Sequence, residues 1–146
     1  MRKEQAGELL AQHILQTRSC DLTVDDQFID PYGGHLHHPG VLYYFEAERV
    51  SLFAENGLDM LRLQKEQQLK FVLRKANIRY REQVYEGDSV SIQTHVSSPK
   101  FTLLTFHQML LKNTRIAIDA TLDVGMIQGE SKPIAIPDFI LEALAK

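Results

Sequence analysis

Asp30-Pro31-Tyr32-Gly33-Gly34-His35-Leu36-His37-His38-Pro39-Gly40, continuing as Val41-Leu42-Tyr43-Tyr44-Phe45-Glu46-Ala47-Glu48-Arg49-Val50-Ser51-Leu52-Phe53-Ala54-Glu55-Asn56-Gly57-Leu58, is the stretch from which the rest of the chain can be read. It is a loop feeding a helix. Pro39 suits a first helical position, where its fixed φ fits and its missing N–H would have had no partner. Asn56-Gly57 supplies the residue types that close a helix on a left-handed residue. Between these ends Tyr43, Ala47, Val50, Ala54 and Leu58 form a stripe of helical period, which predicts the buried face; its two alanines would let a sheet come close. On the neighbouring stripe, Leu42, Glu46, Arg49 and Phe53, the spacing of Glu46 and Arg49 lets them pair.

The 146 residues, 44% of them hydrophobic, fit one domain that buries roughly two thirds of its extended surface. With 16 basic and 19 acidic residues intermixed, a general attraction to nucleic acid or to an anionic membrane is not expected. Cys20 is alone, which excludes an internal disulfide and a cysteine-based zinc site. No apolar run approaches the roughly 20 residues of a membrane span. Glu4, Gln5 and Glu8 follow Met1-Arg2-Lys3, so the apolar segment of a signal peptide is missing and the expected location is the cytoplasm.

Residues 3–16 read as a short amphipathic helix, an N-terminal extension (1–16) to a domain of residues 17–146. One strand is expected within 17–29, before the organising loop. Residues 59–68 suggest further helix or a mobile connection. Residues 69–80 are rich in strand formers, with Phe71 and Leu73 in one phase and Ala76, Ile78 and Tyr80 in the other, as in a bulged central strand. Val90, Ile92, Thr94 and Val96 alternate with Ser89, Ser91, Gln93 and His95 as in a strand with one wet face. A turn at 97–100, an apolar strand over 101–111, a tight turn at Lys112-Asn113 and alternation from Ile116 to Val124 complete an antiparallel meander. Gly125, Gly129 and Pro133 break the pattern before a short helix over 137–145. The fold class is α+β, a five-stranded antiparallel sheet with one long helix. A single helix covers one face of such a sheet, so the sheet must either curl around it or find cover for its exposed apolar residues in a partner, and its open edge favours a homodimer.

The chain has no G-x-S-x-G elbow, no P-loop and no G-x-G-x-x-G. His35, His37 and His38 lack the i, i+4 spacing of H-E-x-x-H, and loop histidines more often cap helices, so no metal is expected. Asp30 has a bland reading as a turn residue before Pro31. Its place before a Gly-rich loop at a helix mouth also sets an acid beside unpaired N–H groups able to stabilise negative charge on a carbonyl oxygen. Gly40, Val41 and Leu42 are the candidate donors, and His38 could orient substrate or water. Glu48 reads as a solvated helix residue and Glu46, on a partly apolar stripe, as the more notable acid.

Asp30-Pro31, Gly33-Gly34-His35, His38, Glu46-Ala47-Glu48-Arg49 and Phe71-Val72-Leu73-Arg74-Lys75 through Gly87-Asp88 together resemble the hotdog-fold acyl-CoA thioesterases, in the branch of 4-hydroxybenzoyl-CoA thioesterase and the Tol-Pal-associated thioesterase. The likeness covers residues 17–140. It implies a curved sheet wrapped around the long helix, assembly as a homodimer or a dimer of dimers (a homotetramer), and a loop aspartate, matched by Asp30, as nucleophile or general base. His38 matches a histidine at the helix entrance. The sequence departs from the pattern where Gln27-Phe28-Ile29 replaces the first acid of an Asp-x-Asp, where one extra residue precedes the helix, and where Val41 stands in place of a tyrosine.

The resemblance implies hydrolysis of an acyl-CoA or acyl-carrier-protein thioester with no cofactor beyond the coenzyme A of the substrate. Asp30, His38 and Glu46 are the catalytic candidates. His35, His37, Tyr43 and the cations Arg74, Lys75 and Lys100 are the substrate-binding candidates. Two rivals share the fold: a hotdog enoyl-thioester hydratase or dehydratase, since Asp30 and His35 are five apart, and a non-catalytic acyl-thioester binding module.

Overall fold

The computed structural model describes residues 14–145. Five long strands form one curled antiparallel sheet in the order β1 (Ile14–Thr23), β3 (Ser89–Lys100), β4 (Leu103–Lys112), β5 (Arg115–Gln128), β2 (Leu69–Tyr80), and a short β6 (Lys132–Ile134) pairs with the end of β5. The sheet wraps the 18-residue helix α1 (His38–Glu55); α2 (Met60–Gln67) and α3 (Asp138–Leu144) are short. The expected α+β hotdog architecture is present, with β6 as a sixth strand. No helix among the described residues is long and apolar enough to cross a membrane.

Period two sets the sheet's inner face. Val90, Ile92, Thr94 and Val96 on β3, Leu104, Phe106, Gln108 and Leu110 on β4, and Ile118, Ala120, Leu122, Val124 and Met126 on β5 are buried, while the intervening residues point outward. The face of α1 that meets them is Val41, Phe45, Glu48 and Leu52. That corrects the predicted stripe: Tyr43, Val50 and Ala54 are exposed, and the tightest approach on α1 is that of Gly40 to the preceding loop rather than of an alanine to the sheet. A Cβ on Gly40 would collide with Phe28 and Leu36. The stripe was misassigned because the core face carries a carboxylate. Glu48 forms an ion pair with Arg18 of β1, and a charge enters a core when paired. Arg18 also meets Glu55 at 3.1 Å.

The predicted N-terminal helix falls mostly on residues outside those described; its last three residues, 14–16, are strand. Gln16 donates to Asn56 Oδ1 at 2.9 Å and to the Leu144 carbonyl at 3.1 Å, tying β1 to the ends of α1 and α3. The strand expected within 17–29 ends at Thr23, and residues Asp26–Phe28 form a 3-10 turn capped by Asp25. At the end of α1, Gly57 takes the expected left-handed conformation, φ 76°.

β2 is bulged as predicted, between Leu73 and Lys75, but it is an edge strand, not a central one. Its apolar residues in both phases include Leu73 and Tyr80, which are 53% and 47% exposed. β3 runs through the predicted 97–100 turn to Lys100, and the tight turn after β4 uses Asn113 and Thr114, φ 51° and 67°. β5 passes Gly125 unbroken because the missing Cβ makes room for the bulged Arg74, whose Nε would lie 3.0 Å from one.

Candidate active site

The loop before α1 is built by short-range hydrogen bonds. The Asp30 N–H donates to the His35 carbonyl at 2.7 Å, and the Gly34 N–H to the Asp30 carbonyl at 2.8 Å. A bridge between Ile29 and Leu36 closes the loop, so Asp30 returns beside His35 next to the start of α1. Gly34 supplies φ 73°, and Gly33 leaves space for the His35 ring, whose Nδ1 would lie 2.5 Å from a Cβ there.

The bland reading of Asp30 holds in part, because its Oδ1 accepts the Tyr32 N–H at 2.7 Å. Its Oδ2 lies 3.7 Å from His35 Nε2, and 27% of the side chain stays open to solvent. The Tyr32 N–H holds the carboxyl below its ordinary value; burial opposes, and the Gly33 N–H, His35 and His37 act in the same direction as Tyr32. Asp30 is therefore ionised at neutral pH.

His37 is the N-cap of α1, and its Nδ1 accepts the Gly40 N–H at 3.4 Å. This corrects the predicted donor set. The Gly40 N–H is taken by the His37 side chain and carbonyl, and the Val41 N–H donates to the His37 carbonyl at 3.2 Å. Leu42 lies beyond the turn whose N–H groups are free of helical partners. Since Pro39 has no N–H, His38 carries the first-turn N–H that lies outside the cap. A histidine at the cap position was not legible as such because Ser, Thr, Asp and Asn are the usual caps.

His38 is exposed and packs edge-on against Tyr80, ring centroids 4.9 Å apart. The two line a cleft of about 380 Å³ with His35, Leu36, Arg81 and Val84. Asp30 stands directly behind His35 in this arrangement. Tyr80, whose hydroxyl is pushed above its ordinary value by burial, and Arg81 were missed, since the end of a strand gives no sequence sign that it faces a helix mouth. The cations singled out from sequence do not line this cleft. Arg74 and Lys75 sit mid-strand at the β2 bulge, and Lys100 ends β3 at the far end of the sheet.

Tyr43 is exposed and packs on Phe28 at 4.8 Å. Glu46 lies eight residues beyond His38, about 12 Å along the axis, and lines a second, smaller pocket with Arg49. The predicted Glu46–Arg49 pair does not form within ion-pair distance among the described residues; Arg49 instead donates to Gln108 Oε1 at 2.9 Å. No group of three or more His, Cys, Asp or Glu among the described residues could hold a metal ion.

An ionised carboxylate and two imidazoles at the mouth of a helix form a constellation for acyl-transfer chemistry. Comparison with known proteins defines the class. Residues 16–144 match the model of the thioesterase-like superfamily, and the chain belongs to that superfamily; it is a thioester hydrolase. It is 32% identical over 112 residues to the acyl-CoA thioesterase YbgC of Haemophilus influenzae, covering 76% of this chain and 82% of that protein. Among solved structures, a 1,4-dihydroxy-2-naphthoyl-CoA thioesterase from Synechocystis superposes with a TM-score of 0.80 at 13% identity, over 89% of this chain and 96% of the other. A Staphylococcus aureus protein, SAV2348, in complex with CoA gives 0.79 at 18% identity, over 90% and 84%. Both structures share the fold.

Proposed function

We propose that the chain hydrolyses acyl-CoA thioesters, with Asp30 as nucleophile or general base and the α1 N-terminus polarising the thioester carbonyl. The observation that carries this reading is the Asp30 carboxylate, kept ionised by backbone N–H groups at the mouth of α1 beside the His35 and His38 cleft. The carboxylate either attacks the carbonyl carbon, displacing the CoA thiolate to leave a mixed anhydride that water then hydrolyses to the free acid and Asp30, or takes a proton from an attacking water, the C–S bond breaking as the proton passes to the departing thiolate. The His38 N–H and the positive end of the helix stabilise the oxyanion. The YbgC relative supports coenzyme A as the carrier.

The site is completed by a second copy in this reading. The β2 edge is unpaired among the described residues, and exposed Val50 of α1 lies beside exposed Leu73 of β2. Pairing of two such edges would cover both and close the cleft from the open side. A homodimer is thus the functional unit.

The 3.7 Å approach of His35 to Asp30 is the one feature that serves the hydratase alternative, in which an acid and an imidazole move water across a double bond. Incubation with saturated and 2-enoyl-CoA thioesters separates the two. Release of free thiol from saturated substrates is the expected result; loss of the enoyl absorbance without thiol would replace hydrolysis by hydration.

A further inference from the structure

We infer that the second pocket, at the C-terminal half of α1, receives the far end of the acyl group, and that Arg49 selects chains carrying an oxygen acceptor there, a hydroxyl or a carboxylate. This rests on the acyl-thioester reading. The pocket, about 210 Å³, holds several times the roughly 30 Å³ share of a water molecule. Its walls are mainly apolar, Phe53, Phe71, Phe106 and Leu73 among them, and Glu46 lines it beside Arg49. Phe53 stacks on Phe71 at 4.6 Å and meets Phe106 edge-on at 5.8 Å.

In this apolar setting Arg49 is anomalous. Arg18, Arg62, Arg81 and Arg115 each have a carboxylate within ion-pair distance; among the described residues Arg49, Arg74 and Arg79 have none, and of these three only Arg49 is partly buried. Burial lowers the basicity of its guanidinium, with Glu46 opposing. A desolvated charge without a counter-group is costly unless something supplies one.

The guanidinium is also held in place. Gln108 is wholly buried on β4, and its amide nitrogen donates to the Phe45 carbonyl at 2.9 Å and to Thr94 Oγ1 at 3.1 Å. That fixes the amide so that Oε1 faces Arg49. The Phe106 ring lies under the guanidinium, 5.9 Å from carbon to centroid. A guanidinium has five N–H donors. Among the described residues no sealed side-chain nitrogen lacks a partner, so the Arg49 nitrogen atoms not bonded to Gln108 keep some exposed surface, and Arg49 lines the pocket. A charged donor fixed by a buried scaffold at one end of an apolar pocket is the arrangement that reads a polar terminus on an otherwise apolar chain.

The test compares decanoyl-CoA, 10-hydroxydecanoyl-CoA and sebacoyl-CoA, whose chains are long enough to run from the first turn of α1 to Arg49, with the full chain and its Arg49→Met and Arg49→Lys variants, alongside Tm. The wild type should favour at least one oxygenated chain over decanoyl-CoA in kcat/KM by about tenfold or more. Arg49→Met should bring that ratio to about one, and Arg49→Lys should restore part of it. Which oxygenated chain is favoured separates hydroxyl from carboxylate. A wild-type ratio near one, or equal loss for all three substrates with a lowered Tm in Arg49→Met, would overturn the inference and leave hydrolysis standing. Thiol release from none of them would overturn the hydrolase reading instead. In that event calorimetry of the same thioesters with the Asp30→Asn variant still decides the pocket, since equal affinities contradict it and a matching preference supports it.

Discussion

The seam between α1 and the edge strand β2 has two unlike ends. At the N-terminus of α1 the walls are polar and titratable, with His35, His38, Tyr80 and Arg81 around a cleft backed by Asp30. Toward the C-terminus they are aromatic, with a single buried-side guanidinium braced by Gln108. The difference follows from helix physics. The first turn has the His38 N–H and a positive field to offer an anionic transition state, whereas the later turns offer only side chains, suited to shape and to one polar contact. In the proposed reading chemistry belongs to one end and recognition to the other.

Substitutions at the two ends should separate in kind and in size. Asp30→Asn removes the charge while keeping an acceptor for the Tyr32 N–H, so kcat should fall by about 10² or more with Tm unchanged, as read by thiol release and thermal denaturation. His35→Ala should cost less, about tenfold in kcat/KM, because its role in this account is to hold substrate. Equal losses from the two would make His35 the base and Asp30 its orienting partner. At the other end, Leu73→Lys places a charge on the exposed edge and should convert the dimer to monomer in light scattering. Thiol release would fall with it if the cleft is shared between subunits. His37→Ala removes the cap of α1 and should lower stability by about 1 kcal/mol, visible as a reduced Tm with a smaller change in rate.

The smallest expected effect is that of pH. The Tyr32 N–H holds the Asp30 carboxyl below its ordinary value. A carboxylate with a depressed folded value contributes stability that is present above the unfolded value and lost as the pH falls through the folded one. The ionised form required for catalysis persists over the same range. Hydrolysis should thus show no acid limb above about pH 5. An acid limb above that pH would mean that a group other than Asp30 sets the rate.

Much of the fold was legible because periods of two and 3.6 survive in single sequences. Val90 to Val96 and Ile118 to Val124 alternate cleanly, Ile116 falling out of phase at a register shift, and Pro39 and Gly57 mark the ends of α1. What failed did so where long-range partners override local pattern. Glu48 looked solvated because Arg18, thirty residues earlier, is invisible to periodicity. β2 looked central because its apolar residues in both phases resemble burial on two faces, yet they stand at an edge. Asp30, His35 and His38, singled out from loop chemistry, do come together at the mouth of α1. Their neighbours Tyr80 and Arg81 were not legible, since antiparallel packing of β2 along α1 brings them there. The oxyanion donors were misread because a histidine, His37, occupies the cap.

The account depends on one placement, that of the thioester carbonyl between Asp30 and the start of α1. A crystal structure of the Asp30→Asn variant with a bound acyl-CoA measures it directly. The carbonyl carbon should lie within about 3.5 Å of the residue 30 side chain, or one water from it, with its oxygen toward the His38 N–H. A thioester bound elsewhere, out of reach of residue 30 in both subunits, would contradict it.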